Sequence, residues 1–307
     1  MASDNHLVSV VNALEWYHTI DLGNGIVTPG HYDHRPYLCH YRLPDNLHGK
    51  RVIDIGTASG FFAFEFERRG ASVLATDLPD WFDHDFGPNY QADKTVETGN
   101  VYLHQPFEVA RQALASKVTR KLINIYDLSP QTVGTFDLAF CGSVLLHLTD
   151  PIKALWKIAS VTRDMAIIAT AIDPQEPDRP IATMVGHQRG DTWWIPTRAC
   201  LELMAVSAGF VGIAWVSEFR LDYRDGSPGP YHDVLHAYKT LQNWSADTRH
   251  RDEVIRQYQG HATSQETKLK QQVEQLQATV DQMERSRILR AAKLLQRFLA
   301  RLSRHGG

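Results

Sequence analysis

Only three cysteines, Cys39, Cys141 and Cys200, occur in the 307 residues. They lie far apart, with no CxxC pair and no Cys/His grouping, which excludes a disulfide scaffold and a structural zinc site as organising devices. A reducing, cytoplasmic setting is the expectation that follows. No apolar run approaches the roughly 20 residues that a membrane span requires. The opening stretch, MASDNHLVSVVNALEWYH, has no basic segment followed by a long apolar one, so no secretory leader is expected there. A strong charge of either sign is missing too, the formal net charge being -3. That near-balance hides an asymmetry. Seven of the 32 Lys and Arg fall between Arg285 and Arg304, where no acid occurs, leaving 25 bases against 35 acids in residues 1–284. An acidic body carries a basic tail.

Hydrophobic residues make up 43% of the chain and Trp, Tyr and Phe 10%, ample for a sizeable core. Strand patterns fall at Arg51–Ile55, Ala71–Asp77, 121–127, 136–142 and 164–172. Helical patterns lie between them at about 61–69, 106–118 and 151–162. This alternation predicts an α/β, Rossmann-like doubly wound sheet with both faces covered. After Pro196 a helix leads into FVGIAWVSEF, a Gly/Pro-rich turn at 226–230, and YHDVLHAYK. Two strands joined by such a turn predict an antiparallel last strand and a seven-stranded, mostly parallel sheet. The expected division is a lid or cap over 1–45, the sheet domain over 46–240 and a helical tail over 241–307.

The first strand runs into VIDIGTASGFF, residues 52–62. A dinucleotide fingerprint would read G-x-G-x-x-G, whereas this turn reads Gly56-Thr57-Ala58-Ser59-Gly60 with Asp54 just ahead of it. A pyrophosphate favours free amides with no acid nearby. An acid before the bend suits a ligand carrying an ammonium group, such as the amino-acid end of S-adenosylmethionine. Asp77 lies 21 residues past Gly56 at the tip of the second strand, where a carboxylate can accept both ribose hydroxyls. Asp127, with Tyr126 or Ile125 beside it, is placed to meet an adenine. The plainer alternative is a tight turn with ordinary acids at strand ends.

Three stretches, VIDIGTASGFFAFEFERRGASVLATD, FDLAFCGSVLLHLTDP and the upstream WYHTIDLGNGIVTPGHYDHRP, resemble class I S-adenosylmethionine-dependent methyltransferases, within them the group labelled tRNA (mo5U34) methyltransferase. The resemblance covers about residues 16–240. It implies that the glycine turn with Thr57, Asp77 with Leu78, Tyr126–Asp127 and Cys141–Gly142 hold the donor, and that CGSVLLH walls the reaction site. Members of that group using a carboxylated donor carry a tyrosine immediately before the histidine of this last motif. Here the position is Leu146, which offers no hydrogen bond, so ordinary S-adenosylmethionine is the expected donor.

Methyl transfer from a sulfonium is an in-line displacement that demands alignment and exclusion of water, and a hydroxyl acceptor adds the need for a base. His147 and His18 are the candidate bases. Trp16 and Tyr17 are candidates for a lid over the donor. His187, Trp193 and Trp194, in GHQRGDTWWIP, are candidates for an acceptor wall that stacks a sugar or a base. From Leu269 apolar residues spaced 4-3-4-3 predict a short coiled coil over about 265–284, able to join chains into a homo-oligomer. The segment 285–304 has one apolar stripe and basic flanks, the pattern of a helix that lies on an anionic membrane or meets a phosphate backbone or a partner. Three readings stand together: an O-methyltransferase of a glycan or small molecule with peripheral contact at the inner membrane face, a tRNA wobble-uridine methyltransferase, and a non-catalytic scaffold working through its coiled coil.

Overall fold

The structure is a computed structural model that describes residues 2–87, 96–186 and 191–240. The coiled coil and basic helix expected beyond residue 240, and His187, lie outside the described residues. The chain divides into two compact units, Met1–Ile255 and Arg256–Gly307, and the description below concerns the first.

Two short N-terminal helices, α1 (Ala2–Ala13) and α2 (Leu38–Tyr41), precede the alternating part. There follow β1 (Arg51–Ile55), α3 (Phe61–Arg68), β2 (Ser72–Asp77), α4 (Val96–Ala113) and β3 (Thr119–Leu122). Next come α5 (Pro130–Val133), β4 (Phe136–Gly142), α6 (Pro151–Val161) and β5 (Thr162–Ala171). A small antiparallel pair, β6 (Ala182–Met184) and β7 (Trp194–Pro196), leads to α7 (Arg198–Ser207), β8 (Gly212–Arg220) and β9 (Tyr231–Tyr238).

The seven-stranded sheet has the order β3-β2-β1-β4-β5-β9-β8. β1 to β5 run parallel to one another, and β9 is antiparallel to both β5 and β8. This is the sheet the strand pattern predicts. Successive residues feed opposite faces, as the two-residue period of a strand requires. Val52, Ile167 and Val234 enter one core, and Ile53, Ile168 and Leu235 the other. The second core is closed by Leu155 and Ile158 of α6 and Leu201 of α7. Each helix is started by its own side chain: Asp150 accepts from the Lys153 amide at 2.9 Å and Thr197 from the Cys200 amide at 3.3 Å.

Residues before β1 belong to the first core. Val11, Trp16, Ile20, Leu22, Ile26 and Tyr41 pack with Phe62, Phe66 and Phe140. The stretch expected as a separate lid over 1–45 is therefore largely a wall of the same core. A second difference lies at 121–127, where the strand stops at Leu122 and Ile125–Asp127 form a 3-10 turn. Asn124 causes it: its side-chain oxygen accepts from the Tyr126 amide at 3.0 Å, offering the backbone a local partner in place of the ladder. The helix expected over 106–118 runs instead from Val96 to Ala113.

Candidate active site

β1 delivers the chain to a turn whose residues adopt a left-handed backbone at Gly56 (φ 73°), Ala58 (φ 44°) and Gly60 (φ 93°). Side chains are disfavoured at these angles, and a Cβ on Gly60 would lie 2.6 Å from Phe64 and 2.7 Å from Phe107. Four of the turn's amides are already committed. Gly56 and Thr57 donate to the Thr76 carbonyl at 2.9 and 3.0 Å, Ala58 donates to Asp77 Oδ2 at 2.8 Å, and Gly60 donates to the Thr57 carbonyl at 2.8 Å. An anion seated here would find few free amides, so the turn is not built as a phosphate cradle.

Asp54 is 2% exposed and accepts from the Thr57 hydroxyl at 2.7 Å and from the Ala63 amide near the start of α3. Burial pushes its carboxyl up to about 7; the Thr57 bond opposes that rise and the neighbouring Asp77 adds to it. Asp77, at the tip of β2, holds the Leu78 amide with Oδ1 at 2.9 Å, and the Arg120 guanidinium lies 3.6 Å from Oδ2. Arg120 in turn packs over the Phe107 ring.

These groups open onto a cavity of about 360 Å³ beyond the carboxyl ends of β1, β2 and β4. Of the residues expected to hold a donor, Asp54, Gly56, Thr57, Asp77, Leu78 and Gly142 line it. Gly60 shapes the turn behind it. Cys141 points into the second core, where burial pushes its thiol up to about 12. Tyr126 and Asp127 are not among the lining residues. The 3-10 turn presents Ile123, Asn124 and Ile125 instead, leaves Asp127 exposed, and sends the Tyr126 hydroxyl to Asp85 at 2.7 Å.

The covering side comes from two segments distant in sequence. Residues 17–41 supply Tyr17, His18, His31, His34 and Tyr41, and residues 81–86 supply Trp81, Asp83, His84, Asp85 and Phe86. Tyr17 thus walls the cavity as expected. Trp16 does not: it is 1% exposed in the core, with its indole N–H on the Val11 carbonyl at 2.9 Å. The backbone amides of Tyr17 and His18 donate to Ser59 Oγ at 3.1 and 3.3 Å, fastening the wall to the glycine turn. His34 shares a 3.0 Å hydrogen bond between Nδ1 and the Tyr41 hydroxyl. Burial holds the pKa of His18 down at about 3 and that of His34 well below the usual imidazole range, so both rings are neutral.

Asp85 anchors the second segment. Its carboxylate accepts from Tyr126 Oη, the Thr149 amide and Thr149 Oγ1 at 2.7, 2.8 and 2.7 Å, and its carbonyl accepts from Trp193 Nε1 at 2.5 Å. That is where the paired tryptophans go: Trp193 braces this segment and Trp194 reaches the Thr149 carbonyl at 3.3 Å. Neither is among the cavity's lining residues. His147 is. Its Nδ1 bonds the Asp191 carbonyl, which fixes the proton there and leaves Nε2 bare, and burial lowers its pKa. Behind Ser143, His232 bonds the Ser143 hydroxyl through Nε2 at 3.0 Å and the Pro230 carbonyl through Nδ1 at 3.1 Å. The signals for the missed residues were HYDH at 31–34 and the aromatic run WFDHDF at 81–86, both polar enough to read as loops.

Residues 53–170 match the family model of a methyltransferase domain. The matched span runs from β1 through β5 and so contains the glycine turn, Asp77 and His147. Domains of this kind take their methyl group from S-adenosylmethionine. A protein named ubiquinone biosynthesis O-methyltransferase from Vibrio parahaemolyticus serotype O3:K6 (strain RIMD 2210633) is 27% identical over 122 residues, 39% of this chain and 42% of that one. One of the same name from Acinetobacter baumannii (strain AYE) is 25% identical over 105 residues, 34% and 36% of the two chains. The alignments thus span less than half the length of these curated relatives. Among solved structures, the N-terminal domain of EvdMO1, crystallised with S-adenosylhomocysteine and D-fucose, superposes with a TM-score of 0.51 at 16% identity, covering 78% of this chain and 97% of that one. That likeness concerns the fold. The finer resemblance to the tRNA-modifying group rests on the sequence motifs alone.

The residues around the cavity fit the donor. A carboxylate stands at the β2 tip, a second faces the cavity beside the turn, and the ring nitrogen Nδ1 of His18 is buried with no hydrogen-bond partner among the described residues. Among the described residues no group of His, Cys, Asp and Glu is arranged to hold a metal ion, and no helix is long and apolar enough to cross a membrane.

Proposed function

We propose that the protein is an S-adenosylmethionine-dependent O-methyltransferase acting on a hydroxyl of an uncharged small molecule or glycan. The observation that carries this is the cavity's lining. Five aspartates and five histidines line it together with Tyr17, Tyr41, Trp81 and Phe86, and none of its described lining residues is lysine or arginine. Carboxylates accept from hydroxyls and aromatic faces take the apolar faces of a ring, whereas an anionic acceptor would find no cation to offset its desolvation. A phosphate backbone is the ligand least suited to these walls, so the tRNA reading draws no support from them. The name of the curated relatives, O-methyltransferase, accords with a hydroxyl acceptor.

When bound, the donor supplies a methyl group on a positively charged sulfur. The chain's contribution is to bind, orient and remove a proton. Asp77 offers acceptor oxygens at the strand tip for a ribose, and Asp54 offers a carboxylate beside the turn for an ammonium. His147 is the base: with Nδ1–H committed to the Asp191 carbonyl, Nε2 accepts the proton of the acceptor hydroxyl as it attacks. Burial keeps His147 neutral near pH 7, so that nitrogen is available. The covering segments, aromatic and tightly fastened, exclude water from the exchange.

The test is transfer of labelled methyl from S-adenosylmethionine to a panel of neutral glycosides and phenols, set beside carboxylated and phosphorylated counterparts and total tRNA. Label on the neutral hydroxyl compounds alone is expected. Label confined to tRNA or to the anionic compounds would overturn the proposal.

A further inference from the structure

β4 ends in Gly142, and the next residue, Ser143, borders the cavity with a side-chain hydroxyl. Its backbone is left-handed, at φ 54°, and its amide donates to the Ala169 carbonyl at 2.7 Å, so β5 holds the residue in place. Behind it stands His232 near the start of β9, 2% exposed and with its ring stacked on Phe219. The hydrogen bonds of this pair fix where each proton lies. His232 Nδ1 is 3.1 Å from the Pro230 carbonyl, and a carbonyl can only accept, so Nδ1 carries the ring proton. Burial holds the pKa of the ring down at about 4, which leaves it neutral and Nε2 bare. Nε2, 3.0 Å from Ser143 Oγ, therefore takes the hydroxyl proton.

Ser143 is left an acceptor only. Its proton is drawn toward His232, which does not line the cavity, and among the described residues no group donates to its oxygen. The neighbours of Ser143 indicate what that oxygen meets. Val144 packs so closely on the glycine turn that a Cβ on Gly56 would lie 2.4 Å from its Cγ2. Beyond it, the His147 amide returns to the Val144 carbonyl at 3.0 Å, which sets the base one short turn away from Ser143. Ser143 thus lies between the turn that receives the donor's amino-acid end and the base that serves the methyl group. In the donor, the sulfur joins those two parts.

We infer that Ser143 turns an acceptor-only oxygen toward the donor's positively charged sulfonium, with His232 as the positioning residue that holds the hydroxyl proton away from it. This rests on the donor reading above; His147 remains the base. An oxygen dipole attracts a cation more strongly in a cavity of low dielectric than in water, and a methyl group on a positive sulfur offers polarised C–H bonds to it. The attraction lapses once the methyl has left and the sulfur is neutral. The pair therefore favours the donor over its spent form, S-adenosylhomocysteine, and so eases the departure of that product.

The experiment is calorimetric titration of the full chain with S-adenosylmethionine and with S-adenosylhomocysteine, which differ only in the methyl group and its charge. The reading is the ratio of the two affinities. Ser143→Ala, and Ser143→Gly, which suits the left-handed backbone, should each lower that ratio by about threefold or more by weakening the charged probe alone. His232→Phe keeps a flat ring against Phe219 but offers no nitrogen, and should lower the ratio as much. His232→Gln, whose side-chain oxygen can accept the hydroxyl proton, should restore most of it. A smaller shift in the Ser143 variants, or equal loss of both probes, would overturn the inference while leaving the donor reading intact. A wild-type ratio in His232→Phe would overturn the part given to His232. Failure of the wild type to bind either probe would overturn the inference and the donor reading together.

Discussion

On the sheet side of the cavity the polar groups are fixed by backbone: turn amides close on Thr76 and Asp77, and the carboxylates sit at strand ends. On the covering side the walls are side chains from residues 17–41 and 81–86, joined to the sheet by a few points such as Ser59 and Asp85. The first side is a property of the fold, since any chain that makes β1, the turn and β2 obtains it. The second is particular to this sequence, and under the proposed function the acceptor is chosen there. The difference teaches where effects should separate: changes on the sheet side are expected to act first on donor affinity, and changes on the covering side on the acceptor and on how fast ligands leave.

Four measurements would break or sharpen that contrast. The largest effect is expected at His147, whose replacement by alanine should lower kcat by about 10²–10⁴ with S-adenosylhomocysteine affinity within twofold of wild type; an unchanged kcat would leave the ring with only its Asp191 bond to explain it. Asp77→Ala should weaken S-adenosylhomocysteine by about a hundredfold, read by calorimetry with circular dichroism unchanged, since two ribose contacts to a charged group are lost. Acid should act on the whole molecule. His18 and His232 have folded pKa values near 3 and 4 against 6.5 unfolded, so below pH 6.5 the unfolded chain binds protons that the folded one refuses. Stability should be full above pH 6.5 and fall by up to about 1.4 kcal/mol per pH unit for each ring down toward pH 4, as followed by denaturant titration. The smallest effect is expected at Asp85→Ala, which frees the 81–86 wall and should speed S-adenosylhomocysteine release a few-fold in stopped flow. A slower release would mean that this wall does not guard the mouth.

The sheet side was legible because its signals are local. A five-residue strand whose apolar residues flank an acid, two glycines and an aromatic helix start define β1, the turn and α3, and the alternation that follows places β2, β4 and β5 almost to the residue. Of the covering side only Tyr17 and His18 were legible, because Trp16, Trp193 and Trp194 look alike in sequence and only packing decides which wall a cavity and which brace a loop. Asn124 ended a strand through one side-chain hydrogen bond that strand propensity does not register. The histidines at 31 and 34 reach the site only because Ser59 and Tyr41 hold their segment down.

One feature of the sheet bears on how the molecule is made. β9 comes last of the seven strands in the chain yet lies inside the sheet, between β5 and β8. Until residues 231–238 have left the ribosome, β5 has a bare edge and β8 has no partner at all, so the nascent domain carries an unpaired β5 rim from Ala171 onward and, once Arg220 is made, a second at β8. Closure waits for the final hairpin, and a chain cut before Tyr231 would be expected to stick to its neighbours and never reach the native sheet.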